Sequence, residues 1–120
     1  MQISRDALRE EAIDEYREDV DFWAAEATRA NANNREELAV AFSAHSALAK
    51  RNCGMVMRFQ EVEPDAEGLS STVWTRFLVQ SAEYIGSTID LIEHASQEGW
   101  DVDPYYVVPD FDSFPDRSKD

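Results

Sequence analysis

Glu11, Asp14, Glu15, Glu18 and Asp21 recur at helical steps of three and four, which gathers five carboxylates along one flank of a helix. Like charges at such spacings destabilise an isolated helix by a few tenths of a kcal/mol per pair. Only Arg9 and Arg17 stand near enough to relieve them, and the segment has no Lys. Such a row can be a solvated face. It can also be a set of negative charges spaced like phosphates, able to dock on a basic groove and compete there with nucleic acid. A second set lies near the C-terminus. From Asp101 to Asp116, aromatic and aliphatic residues alternate with Asp and Pro. Tyr105, Tyr106 and Val108 have the character of a segment folded back over Trp100. Asp110, Phe111, Asp112 and Phe114 read as an extended docking peptide, with two aromatic anchors and steering charges.

Metal and nucleophile chemistry find weaker support. Asp90 and His94 stand four residues apart, with Glu93 beside them. A helical metal site needs further ligands converging from neighbouring helices. The only other histidine, His45, falls on an apolar stripe, where a histidine satisfied by one hydrogen bond is the simpler expectation. Cys53 is the single cysteine, so no internal disulfide can form, and no spacing marks it as a nucleophile. The four glycines are scattered and form no phosphate loop. We therefore expect no metal, no cofactor and no catalysis.

The charge decides which partners are open. Twenty-five acids against eleven Lys and Arg give a formal charge of −14, with a pI near 4.3. Residues 1–30 carry nine acids and four bases, residues 100–120 six and two, and residues 31–62 three and four. Direct nucleic-acid binding and anionic membranes are disfavoured, and basic protein surfaces are favoured. Arg35, Lys50, Arg51 and Arg58 would sooner meet the acids of a second copy than a phosphate backbone. The acidity would also suit a cell with high internal salt, which screens self-repulsion. The first residues hold no apolar leader, and no run approaches the roughly 20 apolar residues that span a bilayer, so a cytoplasmic protein is expected.

Three helical patterns position these residues. The first runs from Arg5 to about Arg29 with Ser4 as N-cap, and its stripe is Leu8, Ala12, Tyr16, Val20, Trp23 and Ala27. The second starts with Asn34 as cap and Glu37 three residues on, and carries Leu38, Ala41, Phe42, His45, Leu48 and Ala49. Its continuation through Gly54 to about Val62 competes with a strand over Met55–Val62; a loop follows at Glu63–Gly68. The third runs from about Ser71, capped by Ser70 or Ser71, to Gln97. Its stripe is Trp74, Phe77, Leu78, Ser81, Ile85, Thr88, Ile92 and Ala95, and Gly99 ends it in a left-handed conformation. The expected fold is all-α: an up-down-up three-helix bundle over residues 1–99, with an extended tail over 100–120 whose last four residues are disordered. The expected function is that of an interaction protein without catalysis, which binds a basic surface on a partner such as a nucleic-acid-binding protein and inhibits or regulates it. A structural module that assembles as a homodimer or larger oligomer is the alternative.

Overall fold

The computed structural model describes residues 3–59 and 71–118, with Ser71 described by its backbone alone. Its elements are α1 (Arg5–Ala32), α2 (Glu36–Arg58), α3 (Ser71–Gln97) and a short α4 (Phe114–Arg117), with no strand among the described residues. The protein is all-α.

Ser4 starts α1 as its spacing requires: the side chain accepts a hydrogen bond from the Ala7 amide at 3.1 Å. The helix outruns the expected stop at Arg29 and takes in Asn31. Asn34 then adopts φ 60°. The Arg35 amide reaches back to the Ala30 carbonyl at 2.9 Å, and the Asn34 amide to Asn31 at 3.1 Å. This is a Schellman closure, with Asn supplying the left-handed residue. It corrects the capping expectation. Asn34 closes α1 instead of capping α2, Arg35 holds the cap position, and no side chain caps it. Gly99 does close α3 in the left-handed region, at φ 77°. The same pair of bonds recurs there, Trp100 amide to Ala95 at 2.9 Å and Gly99 amide to Ser96 at 3.0 Å.

α1 and α2 pair side by side in opposite directions. Ser46 donates to the Val20 carbonyl at 2.7 Å, and Cys53 lies against the Ile13 carbonyl. Aromatic and hydroxyl side chains carry α3 onto this hairpin. Tyr16 meets Ser81 at 2.9 Å and His45 meets Thr88 at 2.7 Å, both buried. One core joins Leu8, Tyr16, Val56, Trp74, Phe77 and Tyr84. A second, towards the other end, joins Trp23, Leu38, Phe42 and Trp100.

Met55–Arg58 continue α2 as helix, so the strand alternative fails for that part. Residues 60–70, which include the expected end at Val62, the Glu63–Gly68 loop and the Ser70 cap, lie outside the described residues. Ile92 is only partly buried and packs against the second core from its edge. Tyr84, absent from the expected stripe, is buried at 1 % exposure. The tail is corrected further. Phe111 and Phe114 belong to the first core, the segment ends in a helical turn, and Arg117 is held by a backbone bond from Ile3. Burial of two phenylalanines outweighs the entropy of ordering the short segment that carries them.

Candidate functional site

The tail lies along the acidic flank of α1, and the carboxylates of α1 hold it there. At the start of the tail, Glu26 is buried, at 4 % exposure. It accepts hydrogen bonds from the Trp100 indole at 3.1 Å and from Arg29 at 3.2 and 2.7 Å. Arg29 also donates to the Asp101 carbonyl and lies over the Trp100 ring, 4.2 Å from its centre. At the far end, Arg117 grips Glu11 with both nitrogens, at 3.0 and 2.6 Å. This bidentate pair uses a carboxylate first counted among the partner-binding acids.

Between these ends sits Asp19, 4 % exposed. One of its oxygens accepts from the Tyr84 hydroxyl at 2.5 Å and the Tyr106 hydroxyl at 2.9 Å. Burial pushes this carboxyl above its usual range; Tyr84, Tyr106 and the nearby Trp23 indole pull it back. The Trp23 indole N–H is buried and reaches hydrogen-bond geometry with no acceptor. Burial, reinforced by the Asp19 charge, also raises Tyr84 and Tyr106, so both phenols stay protonated donors. Tyr106 stacks on Phe22 with centroids 4.3 Å apart.

Above this knot, α1 and the tail leave a groove of about 490 Å³. Glu15, Glu18, Asp19, Asp103 and Asp110 line it together with Phe22, Tyr105 and Tyr106, and its lining contains no Lys or Arg. Tyr105 is 91 % exposed beside its half-buried neighbour. Glu15 shows the strain of the arrangement: burial raises its pKa first, and Glu18, Asp19, Glu11 and Asp110 raise it further. A positive group in the groove would relieve that repulsion.

The structure thus divides the expected binding residues. Glu15, Glu18 and Asp110 come together in the groove. Asp14, Asp21 and Asp112 are exposed outside it. Glu11 is tied to Arg117. Phe111 and Phe114, at 2 % and 1 % exposure, are core residues and not free anchors. Asp19, Phe22 and Asp103 were not expected in the groove. Of the residues expected to fold back over Trp100, Tyr106 packs against the core that holds Trp100 and Val108 against the other core, whereas Tyr105 stays exposed. Asp19 carried a readable signal, since Tyr16, Val20 and Trp23 surround it at helical spacing. The aromatic character of the tail suggested that it packs, but which of its residues face the groove carried no signal, because an irregular segment has no period.

The other candidates engage elsewhere. The Thr88 hydroxyl donates to the Tyr84 carbonyl at 2.9 Å, so it accepts from His45 and places the His45 proton on Nε2. Burial lowers the His45 pKa to about 4. Burial raises the Cys53 thiol, which keeps it protonated. Asp90, Glu93 and His94 are exposed, and no group of three metal-ligating side chains converges among the described residues. No helix among them is long and apolar enough to cross a membrane. Comparison with protein-family models, curated proteins and solved structures gave no match.

Proposed function

We propose that this chain is a non-enzymatic, cytoplasmic interaction protein. In this reading it is an up-down-up three-helix bundle with a packed tail, and it binds a basic surface on a partner protein. One observation carries the proposal: five carboxylates and three aromatic rings line a single groove whose lining holds no Lys or Arg. Lys and Arg side chains fit such a groove in two ways. Their charges pair with Glu15, Glu18 and Asp110, and their stems and cationic heads lie on the exposed ring of Tyr105. A partner that normally grips phosphates presents this chemistry, so occupation by this protein would block it. No cofactor is required.

The test uses an arginine-rich peptide as probe, with binding followed against salt. Affinity should fall steeply as salt rises, through a slower on-rate. The triple variant Glu15→Lys, Glu18→Lys and Asp110→Lys should weaken binding by at least about tenfold, because rim charges set the on-rate and charge reversal repels. The variant should keep its helical circular dichroism, since none of the three is in the core. Undiminished binding by the folded variant would refute the proposal.

A further inference from the structure

The outer face of α3 carries an apolar stripe of its own. Val79 is 53 % and Ile89 43 % exposed, and Ala82 and Gly86 are exposed between them. The steps are three, four and three, the spacing of a helix–helix seam. A Cβ placed on Gly86 would meet nothing within 4 Å. The chain's own packing therefore does not require this glycine, which costs the helix about 1 kcal/mol relative to Ala. A second backbone crossing there would use the space. Val40, the most exposed aliphatic on α2, stands instead among Ala and Ser and forms no such row.

The charges beside the stripe choose the occupant. Arg76, Glu83 and Asp90 follow one another at steps of seven along its edge, are exposed, and make no ion pair with any described residue. Arg76 and Asp90 are about 21 Å apart along the helix at 1.5 Å per residue, too far to pair within one chain. In an antiparallel pairing of two α3 helices, Val79 faces Ile89 of the second copy and Ala82 faces its Gly86. The same register brings Arg76 to within two residues, about 3 Å of helical rise, of Asp90 of the second copy, and by symmetry Asp90 to within reach of its Arg76. Glu83 then falls near the two-fold axis, beside Glu83 of the second copy, and this single like-charge pair sets itself against the two Arg–Asp pairs. A face whose apolar row is self-complementary in shape, and whose end charges are opposite, is what an isologous dimer needs. We infer that the outer face of α3 is a homodimer interface, formed by two antiparallel α3 helices crossing near Ala82 and Gly86. The inference does not depend on the acidic groove, which lies on α1 and the tail.

Sedimentation equilibrium of the full chain at roughly physiological salt, where the Debye length is about 8 Å, tests it. The wild type should self-associate with a two-fold stoichiometry. Arg76→Asp and Asp90→Arg, each alone, should weaken the dimer about tenfold, since each turns two attractive contacts into repulsive ones. The double variant carrying both changes should recover to within about threefold of the wild type, because reversing both partners restores each pair at unchanged net charge. Val79→Ala with Ile89→Ala should leave a folded monomer. A wild type that stays monomeric at about 1 mM would overturn the inference. So would a double variant no stronger than the single ones.

Discussion

α1 and the tail are made of the same materials, acids and aromatic residues, and they meet along one seam. They are ordered in different ways. α1 turns Tyr16, Asp19, Trp23 and Glu26 inward at helical steps, an arrangement set by the period of its own backbone. The tail turns Trp100, Tyr106, Phe111 and Phe114 inward with no period at all. What holds it is α1: Glu26 at one end, Asp19 in the middle and Glu11 at the other. The acidic flank of the helix is therefore two populations. One secures the tail; of the other, Glu18, Asp14 and Asp21 face solvent and Glu15 is half-buried in the groove wall.

The largest effect should come from the tail anchors. Phe111 lies 4.9 Å from Tyr16 and 6.3 Å from Phe77, centroid to centroid. Phe111→Ala should cost about 3–5 kcal/mol, as much as a residue of the helical core. Tyr105→Ala, six residues away and fully solvated, should change stability by less than about 0.5 kcal/mol. Urea denaturation measures both. A loss below about 1 kcal/mol for Phe111 would mean that the tail is an accessory to the bundle and not part of it. For the same reason, deleting residues 110–120 removes core and cannot serve as a test of docking.

How much of this was legible follows from the same contrast. Leu8, Tyr16, Trp23, Phe42 and Phe77 could be placed in the core because period and burial coincide in a helix. The stops at Asn34 and Gly99 belong to one motif, but only Gly announces it without ambiguity; an Asn before a helix reads equally well as a cap. In the tail, the alternation of Phe with Asp suggested an exposed peptide. The inward turn of Phe111 and Phe114 depends on ring contacts with Tyr16 of α1 and Phe77 of α3, which tertiary packing brings together and no local pattern announces. The groove was half legible. Its α1 acids share a flank, whereas Asp103, Tyr105 and Tyr106 reach it only through tertiary folding.

Asp19 joins the two regions and should give the next largest effect. Asp19→Ala removes the acceptor of two tyrosine hydroxyls, one of them fully buried on Tyr84. It should cost about 2–4 kcal/mol, since bonds to a charged group are worth more than neutral ones and a stranded buried donor adds its own penalty. Asp21→Ala, two residues on and exposed, should stay within about 0.5 kcal/mol. Equal losses at both positions would erase the division between inward and outward acids.

Behind Asp19, His45 stacks on Tyr84 with centroids 4.8 Å apart and meets the edge of Trp23 at 5.2 Å. Its pKa falls from 6.5 to about 4 on folding, so between those values the unfolded chain binds more protons than the folded one. Stability is then lost as pH falls through that window, with a slope of up to about 1.4 kcal/mol per pH unit. Asp19 and Glu15, whose pKa values are raised, act with the opposite sign over the acid end of the range. Comparing wild type with His45→Gln removes that background. The stability advantage of the wild type should shrink steadily from pH 7 to pH 4.5, and a constant difference would show that His45 titrates normally in the fold.

The smallest effect on stability should be the most informative about function. Glu15 sits among Glu11, Glu18, Asp19 and Asp110, which together hold its pKa above the usual range after burial has raised it. Its charge opposes folding at neutral pH. Glu15→Gln keeps the shape and removes the repulsion, so it should stabilise the protein by a few tenths of a kcal/mol, the scale of like-charge pairs at helix spacing. The same change removes one of the carboxylates that a basic partner would meet. A residue that improves the fold when neutralised, and weakens binding of an arginine-rich peptide, is one retained at a cost to stability. Thermal unfolding and peptide titration on the same variant read the two signs. If neutralising Glu15 stabilises the fold and leaves the affinity untouched, the groove's charge is only a solvated surface. If it destabilises the fold, Glu15 belongs with Asp19 among the acids that hold the tail.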